Sequence, residues 1–143
     1  MTEVTFHIQV PDKWVYCCRL LRKAALRDAR VWVCGDAQQI AHLDALLWSF
    51  SPLDFVPHCL ASAESGLLAA SPVVLATDTL AAPHHGVLLN LGGAVPAGFE
   101  SFQRVIEVVS TEGEDRRQAR LRWKHYSERG YPLISHEAPG EKT

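Results

Sequence analysis

Val31-Trp32-Val33-Cys34 is apolar at every position, and so short a run without a polar residue is suited to a strand covered on both faces. Val73 to Ala76, Val87 to Leu91 and Val105 to Val109 also have strand length and carry Val, Ile or Leu in succession. Together these runs predict a largely parallel sheet. Parallel neighbours need long crossovers, and the segments between the first runs have helical periodicity.

Ahead of these runs, Val4, Phe6, Ile8 and Val10 alternate with Thr5, His7 and Gln9, the period of a strand with unequal faces, and Pro11-Asp12 stops it. From Lys13 to Arg30 the period becomes helical. Trp14, Cys17, Cys18, Leu21, Ala24 and Ala25 share one face opposite Arg19, Arg22, Lys23, Arg27 and Arg30, with Asp12 placed as an N-cap. A second helix follows Gly35, where Asp36 and Gln39 have capping-box spacing and Ile40, Leu43, Leu46 and Leu47 form the inner stripe. The last strong helix runs from Asp115 to Arg129, closed by Gly130 and then Pro132. This order predicts a three-layer α/β domain over residues 1–134, Rossmann-like, with a mostly parallel sheet, helices on both faces and right-handed crossovers; 135–143 reads as a polar tail.

At 143 residues and 48% hydrophobic composition the chain can bury a core of that kind. Its net charge of -2 argues against coating nucleic acid, although the average conceals a lopsided map. All Lys and Arg lie between Lys13 and Arg30, between Arg104 and Arg129, or at Lys142. The N-terminus lacks the pattern of a signal peptide and no apolar run is long enough to span a bilayer, so a cytoplasmic protein without membrane contact is expected. Cys17, Cys18, Cys34 and Cys59 show no disulfide-framework spacing and read as free thiols.

Several chemistries find little support. The turn Val10-Pro11-Asp12-Lys13 has no glycine to admit a pyrophosphate, and no Walker motif occurs. Gly92-Gly93 could offer amides to an anion, though a simple turn explains it better. There is no CxxC, HxxxH or HExxH, so neither a metal nor another cofactor is expected. A small nucleotide-dependent or hydrolytic α/β enzyme using His58, Cys59 or the His84-His85 turn is the alternative reading.

The last helix is more informative. Arg116, Arg120, Lys124 and Ser127 form one stripe, bordered by an apolar stripe of Ala119, Trp123 and Tyr126. Like charges one turn apart repel by a few tenths of a kcal/mol per pair, roughly, and an acidic partner would relieve that cost.

Leu43-Asp44-Ala45-Leu46-Leu47-Trp48, followed by Phe55-Val56-Pro57-His58-Cys59-Leu60-Ala61, resembles the LDxLLW…FVPHxLA signature of the bacterial DNA polymerase III chi subunit family. Ala119-Arg120-Leu121-Arg122-Trp123-Lys124-His125-Tyr126 resembles that family's last basic helix, with Trp123 where relatives often carry Tyr. The resemblance spans nearly the whole chain. It implies a non-catalytic accessory subunit of the clamp-loader assembly, with two partners: the psi subunit and the acidic C-terminal tail of single-stranded-DNA-binding protein. By matching position, Val109, Arg116, Arg120, Trp123 and Lys124 would form the tail site, and Trp48, Phe55, Pro57 and His58 the psi surface. DNA would be met only indirectly, through these partners.

Overall fold

A computed structural model describes residues 2–49, 56–63, 65–79, 82 and 86–137. Among them, strands β1 (Glu3–Val10), β2 (Val31–Cys34), β3 (His58–Leu60), β4 (Val73–Ala76), β5 (Val87–Asn90), β6 (Arg104–Ser110) and β7 (Leu133–Glu137) form one sheet. Its order is β3-β4-β2-β5-β6-β1-β7, and all pairings are parallel. Helices α1 (Lys13–Leu26), α2 (Ala37–Ser49), α3 (Ser65–Ala70) and α4 (Gly113–Glu128), with a 3-10 turn at Phe99–Ser101, complete the described elements. The three-layer α/β architecture expected from the apolar runs is the one found.

Two apolar clusters sandwich the sheet. On one face Cys17, Cys18 and Leu21 of α1 and Ile40, Leu43 and Leu47 of α2 pack on Val31, Val33, Val73, Leu75, Leu89 and Val108. On the other, Ala119 and Tyr126 of α4 join Phe99 and Phe102 against Val4, Phe6, Trp32, Leu88, Val105 and Val109. Each large aliphatic side chain so buried contributes roughly 1.5–3 kcal/mol of transfer free energy. The connections through α1 and α2 carry the chain from β1 toward β3, whereas α4, on the opposite face, carries it from β6 past β1 to β7. Opposite directions on opposite faces preserve a single crossover hand.

Local chemistry explains the element ends. Asp12 Oδ1 accepts from Val15 N at 3.2 Å. The capping box is reciprocal: Gln39 N donates to Asp36 Oδ1 at 2.8 Å, and Asp36 N donates to Gln39 Oε1 at 2.9 Å. Gly35 leaves room for this box, since a Cβ there would lie 2.9 Å from Gln39 Oε1 and 3.1 Å from Leu91 Cβ.

Three local expectations are corrected. Val10 does not share a face with Val4, Phe6 and Ile8, because Gln9 adopts φ 59 and the β1–β6 register shifts between His7 and Val10. This bulge sends Val10 into the α1 cluster and leaves Ile8 with the α4 cluster. Helix α1 ends at Leu26, short of Arg30, where Asp28 at φ 58 turns the chain out. Finally, Ser135, His136 and Glu137 belong to β7, which pairs with β1, and not to a polar tail.

Candidate functional site

Helix α4 is held to the sheet by a polar cluster that the sequence reading missed. Glu107, in the middle of β6, is completely buried. Its carboxylate accepts from Arg122 Nε at 2.9 Å, Tyr126 Oη at 2.7 Å and Asn90 Nδ2 at 3.0 Å. Burial pushes this carboxyl up, against the pull of Arg122, Asn90 and Tyr126, and it raises the Tyr126 hydroxyl too. Arg122 also donates to Gly93 O at 3.1 Å, and Gly92 N donates to Asn90 Oδ1 at 3.0 Å. The Gly92-Gly93 turn thus serves this cluster. The available signal was the single carboxylate inside Val105-Ile106-Glu107-Val108-Val109.

At its other end α4 is tied down by Asp115, which accepts from Ser110 N at 2.8 Å and from Lys13 Nζ at 3.4 Å. Burial raises this carboxyl, but the Ser110 amide and Lys13 more than reverse that and hold it below its ordinary value.

With both anchors made, the outer surface of α4 presents Arg116, Arg120, Trp123 and Lys124. Trp123 is 36% exposed, and its ring meets Phe6 of β1 edge to face at 5.0 Å. An aromatic held this way is both accessible and fixed. Among the described residues Arg116 and Arg120 have no carboxylate within ion-pair distance, whereas Arg117 pairs with Glu114 at 2.7 Å and Lys124 lies 3.9 Å from Glu128. Val109 is buried beneath the helix, in the cluster with Phe6 and Ala119. It can support the surface but offers little area to a partner. Arg122, one of the helix's cations, belongs to the interior.

A second surface forms where α2 meets β3. Trp48, near the end of α2, is 63% exposed, and its ring lies 5.2 Å from that of His58. The His58 ring is itself fixed: Nε2 lies 3.0 Å from Asp44 Oδ1, and Nδ1 lies 2.7 Å from Val56 O. Pro57 is exposed beside it, as is Leu60 on the edge strand. Trp48, Pro57 and His58 are therefore neighbours; Phe55 lies outside the described residues.

The arrangement offers little to the enzymatic alternative. His58 faces α2 while Cys59, adjacent on the strand, packs in the opposite cluster, so base and thiol lie on different sides of the sheet. Burial pushes the Cys17 thiol up to about 12 and the Cys18 thiol up to about 11, and it raises Cys34 as well, which keeps these thiols protonated. The open concavity of about 490 Å³ between the β1–α1 and β6–α4 turns is lined by Asp12, Glu112, Glu114 and Asp115 against one cation, Lys13, which is itself paired with Asp115, a poor environment for a phosphate. His84-His85 lies outside the described residues. No helix among the described residues is long and apolar enough to cross a membrane.

Comparison with known proteins agrees with the signature residues. The family profile described as DNA polymerase III chi subunit, HolC, matches residues 1–134. The DNA polymerase III subunit chi of Pseudomonas aeruginosa is 35% identical over 145 aligned residues, covering 97% of this chain and 99% of the relative. That of Haemophilus influenzae is 29% identical over 103 residues, covering 70% and 69%. With the profile matching from the first strand into β7 and a relative aligned nearly end to end, the chain belongs to the DNA polymerase III chi subunit family.

Proposed function

We propose that this subunit is a non-catalytic adaptor of the DNA polymerase III holoenzyme, joining the acidic C-terminal tail of single-stranded-DNA-binding protein to the psi subunit of the clamp loader. The observation that carries the reading is the outer surface of α4, where an exposed, anchored Trp123 adjoins Arg116 and Arg120 with their charges unneutralised. A tail that ends in an aromatic residue and a free carboxylate needs an apolar surface and a nearby cation. Trp123 supplies the first, and Arg120 or Lys124 the second. Burying the aromatic is worth ~1.5–3 kcal/mol and each charged hydrogen bond ~1.5–3 kcal/mol before association costs, so weak binding, no tighter than roughly micromolar, is the expected outcome.

Psi is assigned to the α2–β3 corner with Trp48, Phe55, Pro57 and His58. Trp123 stands over β1 and His58 begins β3, five strand intervals away in the sheet order. At ~4.8 Å per interval the two surfaces are roughly 24 Å apart, far enough for both partners to bind together.

The test is a titration of a dye-labelled acidic peptide ending in an aromatic residue and free carboxylate, followed by anisotropy. Arg120→Ala and Trp123→Ala are each expected to weaken binding about tenfold or more, and added salt to weaken it further. Wild-type affinity in both variants would remove α4 as the tail site.

A further inference from the structure

The chain's other concentration of positive charge, on α1, has no role in this adaptor reading. Arg19, Lys23 and Arg27 lie at i, i+4 and i+8 along the outer side of α1 and its C-cap, and all three are exposed. Among the described residues none of the three has a carboxylate within ion-pair distance. The helix itself contains no Asp or Glu from Lys13 to Leu26, in contrast to α4, where Glu114 and Glu128 offset Arg117 and Lys124. Stacked like charges of this kind disfavour a helix.

Beside the C-terminal end of this stripe stands Leu26, the last residue of α1, 78% exposed, next to Arg27 and one turn from Lys23 and Arg22. A lone exposed leucine is ordinary on a protein surface. At the C-terminal end of a cationic stripe, on a helix whose apolar face is already in the core, it adds an apolar contact that a partner could use.

We propose that this face of α1 docks an acidic polypeptide segment carrying an apolar residue. The cations select carboxylates, and Leu26 takes the apolar side chain. Arg19 to Arg27 span about 12 Å, or two helical turns, so a short segment suffices. A polypeptide fits better than nucleic acid, because the aromatic residues of α1 are engaged inward: Trp14 against His42 at 4.6 Å, and Tyr16 in a hydrogen bond with His7. No ring is left on the cationic stripe for stacking bases. A membrane fits less well still, since Leu26 alone gives too small an apolar face to insert. Helix α1 packs on the sheet face opposite α4, so this segment and the proposed α4 ligand can be held at once.

The probe is a dye-labelled dodecapeptide of Glu and Asp around central leucines, amidated at its C-terminus so that it lacks the aromatic and free carboxylate proposed for α4. Its affinity is measured at about 0.15 M ionic strength. The wild type is expected to bind it. Arg19→Gln/Lys23→Gln/Arg27→Gln should lose about tenfold or more and unfold near the wild-type temperature, because the repulsion relieved offsets the helix-dipole attraction lost at the C-terminus. Leu26→Ser should lose severalfold and, as a single surface change, provides a second readout if the triple variant folds poorly. Arg120→Ala/Trp123→Ala should bind the probe like wild type, and the triple variant should bind the aromatic-terminated peptide like wild type, which separates this proposal from the adaptor reading. The proposal is overturned if the triple variant and Leu26→Ser keep wild-type affinity, or if the α4 variant alone abolishes binding. Tighter binding of a single-stranded oligonucleotide or of anionic vesicles, lost in the triple variant, would also overturn it.

Discussion

Glu107 and Arg122 form a buried ion pair with no aqueous surroundings to compensate for a missing partner. Removing one member of such a pair leaves a charge in a low-dielectric interior, at a cost of roughly 3–5 kcal/mol. Arg122→Met is therefore expected to lower unfolding stability by about that amount in urea titrations, and Glu107→Gln/Arg122→Met to recover much of it. An Arg122→Met variant as stable as wild type would show that the pair does not hold α4 down. His7 makes a different prediction. Burial, aided by His136 and Lys23, lowers its imidazole from 6.5 to about 4. The unfolded chain then takes up a proton before the folded one does, so His7 contributes stability above pH 6.5 that is lost as pH falls toward 4. Part of the ring is open to solvent, which moderates the effect. His7→Gln should shrink the difference between urea midpoints measured at pH 7 and pH 4.5, and an unchanged difference would remove His7 as its source.

Helices α1 and α4 end in the same way. In α4, Gly130 at φ 77 donates to Ser127 O at 3.1 Å and Tyr131 N donates to Tyr126 O at 3.2 Å. In α1, Asp28 at φ 58 donates to Ala25 O at 3.2 Å and Ala29 N donates to Ala24 O at 2.9 Å. Both are Schellman motifs, one with glycine at the left-handed position and one with aspartate. Aspartate pays a steric cost there and places a negative charge at the helix C-terminus. Asp28→Gly is thus expected to raise thermal stability by roughly 0.5–1 kcal/mol, and Gly130→Ala to lower it by about 1 kcal/mol. The contrast explains which helix end was legible: Gly130 announces a stop, whereas Asp28 lies within a stretch whose cations continue the helical period to Arg30. The short strands were illegible for another reason. In β3, His58-Cys59-Leu60 shows no periodicity, and exposed β7 lacks the apolar run of an interior strand; both are strands because a neighbour's backbone pairs with them.

The proposed partner surfaces lie in separate regions of the molecule, α4 over β1 and the Trp48–His58 corner at the β3 edge. This separation predicts independent losses. Trp48→Ala should leave urea stability within about 1 kcal/mol, because the side chain is mostly solvated, yet weaken psi binding by about 2 kcal/mol or more. Tail-peptide binding should be untouched. Loss of both bindings together would point to a folding defect or to one shared surface, and unchanged psi binding would remove Trp48 from that interface.

The layered α/β class was legible in the amino-acid order alone, because VWVC and VVLA are suited to a place between two covering layers, and so were the caps whose hydrogen bonds are local. That order also carried the family signature and the cationic stripe of α4. Which cations face solvent was settled by packing. Arg120 and Arg122 are two residues apart on one helix, yet the first is exposed and the second is paired with Glu107 in the core. Composition counts both as the same charge. Their difference comes from β6, which places a carboxylate beneath one side of the helix and nothing beneath the other, a contact across fifteen residues of sequence that no local pattern encodes.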